Sequence, residues 1–364
     1  MNLQNYNLYK YLKRCQFLFF LKMSLFDEQY KKKKKMMQRA IKSKEQINAE
    51  MQIVSNYWKC KPLHYIRYEL FNKNISEEEL LDYIPPYFHY NFYNESLYGQ
   101  VNIEKYSNKY EMAKILTERG IRTPNVIYTY EEGVFRDDSK NIVSENSLLK
   151  KNADGDKIFF KPFYGQGGNG IIVLKVHGDN IYHKGKVVPN GQISRLLNQR
   201  KSYVIQKGIK QREDINLISS TSVNTLRCVT QLIGEEAKLC VCVMRIGRNG
   251  SEVDNSSQGG LSVQVDTEKG YLYKYATVEL TGEVYDKHPD SGFVFENFMI
   301  EGWSHIKQQI LDYARSIPEA KELSWDVAIT KEGIEVIEIN FGYGLTHLQC
   351  CCGGLRRVLN VFPH

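Results

Sequence analysis

The chain has no run of eighteen or so apolar residues, the length a helix needs to cross a bilayer. The nearest approach, Phe17-Leu18-Phe19-Phe20-Leu21, is broken by Lys22. No small-residue cleavage site accompanies it, which argues against a secretory signal. CxxC pairs are also missing: Cys15, Cys60, Cys228, Cys240, Cys242 and the triplet Cys350, Cys351 and Cys352 follow no regular spacing. Free thiols in a reducing, cytoplasmic compartment are therefore expected. There is no Gly-Lys-Ser or Gly-Lys-Thr after a glycine loop, no His-Arg-Asp and no Asp-Phe-Gly, which sets aside the Walker-loop and protein-kinase readings. No internal repeat is visible. The net charge of +7 is modest and comes largely from Lys31 to Lys35, so nucleic acid is not an expected partner. That run, with the apolar segment before it, could rest on an anionic membrane surface as a basic amphipathic helix. A solvated charge run beside a buried helix is the simpler alternative.

What is present is enough for a large core: 364 residues, 42% hydrophobic and 12% aromatic, imply two or three domains or subdomains. Residues 1–105, rich in Tyr, Lys and Asn, read as mostly helical, with a capping box at Ser76-Glu77-Glu78-Glu79 before Pro85-Pro86. Ser107 is placed as the cap of a helix reaching Arg119 and closed by Gly120, with a strand from Asn125 to Tyr130 after it. From Lys157 the pattern turns to strands: 158–162, 171–176, 203–206, 223–233, 237–246 across a turn at Gly234, and 261–266. Ile306, Ile310, Ala314 and Ile317 recur at helical spacing over 303–317, the core stripe of a helix packed on a sheet. Cys240 and Cys242 alternate with Val241 and Val243 as strand-core residues. The cysteine triplet reads as packing or as a small-residue turn before Gly353-Gly354.

The densest chemical signal is Ser324-Trp325-Asp326-Val327-Ala328-Ile329-Thr330-Lys331-Glu332-Gly333-Ile334-Glu335-Val336-Ile337-Glu338-Ile339-Asn340. It reads as a β-hairpin with Lys331-Glu332-Gly333 as a three-residue loop. If Thr330 pairs with Ile334, Asp326 lies directly opposite Glu338, and Asn340 shares their face, with Ile337 and Ile339 on the other. Facing carboxylates repel unless a cation sits between them. Asp, Glu and Asn are the hard oxygen donors that suit Mg²⁺ on a phosphate substrate, whereas solvated acids on a surface hairpin are the plain alternative.

A second signal is the loop Gly165-Gln166-Gly167-Gly168-Asn169-Gly170 between two apolar strands. Four glycines leave backbone N–H groups free to turn toward an anion. The next element reads as a strand, so a glycine-rich hairpin over phosphates fits better than a helix-opening fingerprint. Lys161, at the end of the preceding strand, supplies a fixed positive charge. Arg227, set between Thr225-Leu226 and Cys228-Val229, is expected to face inward toward an anion. The loop Asp254-Asn255-Ser256-Ser257-Gln258-Gly259-Gly260 either lines an acceptor pocket or is a solvent loop. Of the scattered histidines, His347 lies nearest the hairpin in sequence and is a candidate for acceptor contact.

A strand-end Lys before a glycine-rich hairpin, followed by Asp…Glu-x-Asn near the C-terminus, resembles the ATP-grasp superfamily. Ser222-Val223-Asn224-Thr225-Leu226-Arg227, Gln258-Gly259-Gly260 and Glu338-Ile339-Asn340 look more narrowly like its sugar-transfer-associated family. The resemblance spans about 108–344, with a similar upstream region around 72–86. It implies an α+β ATP-grasp fold of two subdomains clamping ATP, a mostly helical region at 1–105, and a catalytic core at 106–364. Within the core, about 156–210 would carry the lid and about 211–364 the metal site.

The resemblance also implies roles. Lys109 and Lys161 would contact ATP phosphates, and Gly165, Gln166, Gly167, Gly168, Asn169 and Gly170 would form the lid. Gln206, Lys207, Gly208 and Ile209 would be the hinge facing adenine, although many family relatives have Glu where this chain has Gln206 or Lys207. Arg227 would stabilise the transferred phosphoryl group, and Asp326, Glu338 and Asn340 would hold Mg²⁺. The activity implied is an ATP- and Mg²⁺-dependent ligase joining a carboxylate to an amine through an acyl-phosphate, in surface-polysaccharide or sugar-conjugate synthesis. A small-molecule kinase on the same fold, or a nucleotide-binding protein whose activity has lapsed, are the alternatives.

Overall fold

The computed structural model describes residues 28–98, 101–165, 168–189, 191–198 and 201–363. The Phe17 to Leu21 segment, Gln166 and Gly167 lie outside them. The chain divides into two compact units. One comprises the described parts of 1–100 with 277–284 and 342–363; the other is built from 101–276 and 285–341.

The first unit is mostly helical. Its longest helix, Lys44–Trp58, starts where the Ser43 side chain accepts a hydrogen bond from the Gln46 N–H. The expected capping box forms at Ser76, whose side chain takes the Glu79 N–H while the Glu79 carboxylate takes the Ser76 N–H. Trp58, Tyr65, Leu70, Phe71, Leu80 and Ile84 are buried among these helices. Cys350, Cys351 and Cys352 end a helix, Thr346–Cys352, so they do not form a turn. That helix is fixed by Gln349, whose Oε1 accepts from Ile84 N at 2.7 Å while its Nε2 donates to Ile84 O and Tyr68 Oη, both at 2.9 Å. Such a fully partnered amide specifies position more than it adds stability.

The second unit carries two antiparallel sheets. The eight-stranded sheet contains β1 (Val126–Glu131), β2 (Val134–Arg136), β3 (Ile142–Val143), β4 (Lys157–Pro162), β5 (Ile172–His177), β6 (Asn180–His183), β7 (Lys186–Val188) and β8 (Tyr203–Lys207), in the order β3-β2-β1-β8-β4-β5-β6-β7. Ile158, Phe160, Leu174 and Ile205 fill the core on one face. Period-two alternation then sends Phe159 and Lys161 to the other face, beside Gln206 and Val204 of β8.

The seven-stranded sheet contains β9 (Thr225–Ile233), β10 (Glu236–Ile246), β11 (Leu261–Val265), β12 (Leu272–Val278), β13 (Val284–Tyr285), β14 (Glu322–Thr330) and β15 (Gly333–Asn340), in the order β13-β12-β11-β10-β9-β14-β15. The helix Trp303–Arg315 packs on it through β10 and β9, with Ile306, Ile310 and Ala314 buried as expected from their spacing. Cys240 and Cys242 are likewise buried in β10. The strands β6 and β7 were not apparent in the sequence, because 180–188 are mostly polar and interrupted by Lys184-Gly185.

Two local expectations change. The cap of the helix Lys109–Glu118 is Asn108, one residue after Ser107; its Oδ1 accepts from Tyr110 N and Glu111 N. The β14–β15 turn is Lys331-Glu332 alone, closed by Thr330 paired with Gly333. Asp326 nevertheless sits directly opposite Glu338, because a bulge at Ile337 adds one residue to β15 and restores the register lost at the shorter turn. Ser324 faces Asn340, so Glu338 and Asn340 do share a face.

Candidate active site

Asp326 lies between two strands whose facing residues are charged: Glu338 on β15 and Arg227 on β9. Arg227 Nε is 2.6 Å from Asp326 Oδ1 at an angle outside hydrogen-bond geometry, while Nη2 donates to Oδ2 at 3.1 Å. Arg227 Nη1 donates to Ser324 Oγ at 3.2 Å. Burial pulls the Arg227 guanidinium down from its ordinary value, although Asp326 opposes that. The arginine is therefore turned inward and is not a surface ion pair.

A second arginine, not singled out in the sequence, completes the arrangement. Arg245 on β10 pairs with Thr225 on β9, so it stands diagonally beside Arg227. It reaches Asp326 Oδ2 at 3.2 Å, Asp254 Oδ2 at 3.6 Å and Thr225 Oγ1 at 2.8 Å. Asp254 in turn accepts from the Thr225 N–H at 3.1 Å and from its hydroxyl. The loop 254–260 is thus no free solvent loop at its start. Burial raises the Asp254 carboxyl despite Arg245, while Asp254 and Asp326 hold the Arg245 guanidinium up against its own burial. The available signal was a lone arginine closing the apolar run Val241-Cys242-Val243-Met244.

Lys109 opens its helix and is fixed at both ends. Its N–H donates to Phe163 O at 2.9 Å and its Nζ to Glu338 Oε1 at 3.0 Å. Lys161 on β4 keeps partial exposure, yet its ammonium is deep enough that burial pushes it down to about 8, against the pull of Glu338 and with the push of Lys109. Lys109, Lys161, Arg227, Asp326 and Glu338 therefore belong to one electrostatic cluster, joined by Arg245 and Asp254. The four cations outnumber the three carboxylates, which leaves room for an anion.

In the glycine loop, Gly165, Gly168 and Gly170 all have positive φ. At Gly168 a Cβ would stand 2.9 Å from Gln258 Nε2, so the loop lies against the 254–260 segment, and Asn169 follows in the turn. The hinge residues are placed differently. Gln206 is buried and donates from Nε2 to Pro124 O at 3.3 Å. Lys207 pairs with Asp156 at 2.8 Å and its N–H goes to Asn125 O, while Gly208 N donates to Lys157 O. These side chains and N–H groups are committed to the sheet, and Ile209 follows directly. His347 is buried in the first unit.

The donor set suits a divalent cation. Asp326 Oδ1 is ion-paired with Arg227 Nε at 2.6 Å and would have to exchange that partner for a cation; the buried Nδ2 of Asn340 has no hydrogen-bond partner, and a half-turn of that amide would present its Oδ1 instead. Among the described residues no three His, Cys, Asp or Glu side chains form a metal-binding group. A third oxygen for a bound Mg²⁺ would have to come from the amide or from a phosphate substrate.

The model of the family described as sugar-transfer associated ATP-grasp matches residues 89–362. The chain belongs to this family. Its fold is accordingly the α+β ATP-grasp fold, with helices concentrated in the N-terminal region. Solved structures of similar fold include D-alanyl-alanine synthetase A from Vibrio cholerae, 14% identical with a TM-score of 0.38. An ADP complex of N5-carboxyaminoimidazole ribonucleotide synthetase is 11% identical, with a TM-score of 0.37. An L-amino acid ligase from Bacillus licheniformis is also 11% identical, with a TM-score of 0.36. The matches cover 71%, 69% and 68% of this chain but 61%, 52% and 43% of those chains. No curated protein matches. Among the described residues, no helix is long and apolar enough to cross a membrane.

Proposed function

We propose that this ATP-grasp protein is an ATP- and Mg²⁺-dependent ligase that joins a carboxylate to an amine. The supporting observation is the single cluster formed by Lys109, Lys161, Arg227 and Arg245 around Asp326 and Glu338. Phosphoryl transfer needs cations to neutralise charge on the phosphate oxygens and a site that holds the reactants in line. Asp326, Glu338 and Asn340 would hold Mg²⁺, which supplies Lewis-acid neutralisation of the phosphate charge.

In this reading a carboxylate oxygen attacks the γ-phosphorus, the bond to the leaving oxygen of ADP breaks, and an acyl-phosphate results. An amine then attacks the acyl carbon, the bond to phosphate breaks, the amine loses a proton and inorganic phosphate departs. Lys109 and Lys161 bind the nucleotide phosphates, Arg227 and Arg245 face the transferred group, and the loop 165–170 shields the intermediate from water. The acceptor belongs to surface-polysaccharide or sugar-conjugate synthesis, a reading supported by the family description.

The test is an ATP-turnover screen over uronic acids, amino sugars and amino acids, resolving ADP plus phosphate from AMP plus pyrophosphate. ADP and phosphate released only when both a carboxylate and an amine are present support the ligase. A stable phosphorylated sugar formed without amine turns the reading to a kinase. Tight ATP binding without turnover on any acceptor turns it to a lapsed enzyme.

A further inference from the structure

Within the first unit, the helical stretch between Pro86 and Tyr98 is interrupted by a five-residue π-turn, His89–Tyr93, in which Asn94 N donates to His89 O. A π-turn is less stable than the α-helix it interrupts, and such turns concentrate at functional sites. His89 is fully buried, yet neither ring nitrogen has a hydrogen-bond partner; the same holds for Asn94 Oδ1. An unpartnered buried polar atom destabilises the fold, and a phenylalanine at position 89 would avoid it. Burial holds the imidazole down to about 4, so it is neutral and offers one donor and one acceptor.

Around it stand three tyrosines. Tyr343 meets the imidazole edge-on at 5.2 Å, Tyr93 lies tilted at 5.7 Å, and Tyr90, 44% exposed, covers it at 5.4 Å. Two glycines let the neighbouring loop approach this turn closely. A Cβ on Gly342 would press to 2.8 Å from Asn94 Nδ2, and Gly344 faces the Tyr90 hydroxyl and His347 Nδ1 at 3.7 and 3.8 Å. Gly342 comes only two residues after Asn340 in the chain.

We infer that the π-turn and the Gly342–His347 loop form a binding site for an uncharged, hydroxyl-bearing sugar ring, reached when Tyr90 swings aside. The chemistry matches on both counts. Aromatic faces accept the apolar C–H face of a pyranose, while His89 and Asn94 satisfy its hydroxyls. No Lys, Arg, Asp or Glu lies among these residues, so the recognised portion is neutral.

The experiment is saturation-transfer NMR with the full chain and three separate neutral probes, glucose, galactose and N-acetylglucosamine, without ATP. Wild type should bind at least one of them. His89→Phe should weaken that sugar at least tenfold while its Tm stays level or rises, because an unpartnered polar group has been removed. Tyr90→Ala, at an exposed position, should weaken it as well and keeps the test decisive if His89→Phe fails to fold. No binding of any probe by wild type, or unchanged binding in the variant that folds, overturns the site. Since ATP plays no part, the ligase reading stands or falls separately through its turnover screen.

Discussion

The two sheets of the second unit meet the same demand, charge for an anionic substrate, in opposite ways. The seven-stranded sheet holds its charges in interlocked pairs: Arg227 and Arg245 share Asp326, Arg245 also reaches Asp254, and Asp254 is bonded to Thr225. The eight-stranded sheet offers Lys161 beside a loop with three glycines at positive φ and relies on Glu338 of the other sheet to support its charge. Guanidiniums pre-paired in a buried network stay in place before a ligand arrives, which is how electrostatic preorganisation works. A buried ammonium without a close carboxylate of its own would gain its partner when the ligand arrives. Under the proposed function, one sheet would be a fixed floor and the other a cover whose electrostatics the ligand completes.

The sharpest way to break this contrast is Glu338→Gln, which removes the carboxylate that serves both sheets. ATP turnover should fall by about three orders of magnitude, about 4 kcal/mol of transition-state stabilisation, with an unchanged circular dichroism spectrum. A fully active variant would sink the metal assignment. Asp326→Ala comes next and tests the floor: leaving the buried Arg227 guanidinium without its carboxylate partner should cost about 3–5 kcal/mol in urea unfolding. Lys161→Met, at the equivalent place in the cover, should cost far less stability and act mainly on the KM for ATP.

Lys161 also gives a pH signature. Its folded-state value near 8 lies below the ordinary 10.5, so protonated Lys161 costs folding energy below pH 8. That cost disappears as pH rises through about 8, and stability should increase between there and about 10.5 relative to Lys161→Met. Over the same range kcat/KM for ATP should decline as the free enzyme loses the charge, and Lys161→Met should lack that decline. The smallest effect is expected for Gly168→Ala, with φ at +73° and a Cβ 2.9 Å from Gln258. It should destabilise by about 1 kcal/mol, with a several-fold rise in KM for ATP; an unchanged KM would show that this loop is not part of the cover.

How much of this was legible in the sequence depended on whether a residue's partner is local. Asp326 opposite Glu338 could be read from one hairpin, as could the strand carrying Lys161, because period-two alternation needs no distant information. Arg245 could not be placed with Asp326, since they meet only through β9 lying between their strands. Asp254 was left undecided for the same reason: its partners, Thr225 and Arg245, arrive from other strands. The side-chain partners of Gln206 and Lys207 were likewise not legible, because Pro124 and Asp156 come from distant segments of the chain.

The bulge at Ile337 separates the length of the hairpin from its chemistry. Because the extra residue lies between the turn and Glu338, a one-residue lengthening of Lys331-Glu332 combined with loss of Ile337 would leave Asp326 facing Glu338. Loss of Ile337 alone would close the bulge and leave Glu338 directly after Val336, still opposite Asp326. A relative lacking this one residue should therefore keep the facing carboxylates and lose only the local twist that the bulge gives the strand, so a single gap here marks a preserved site rather than a drifting loop.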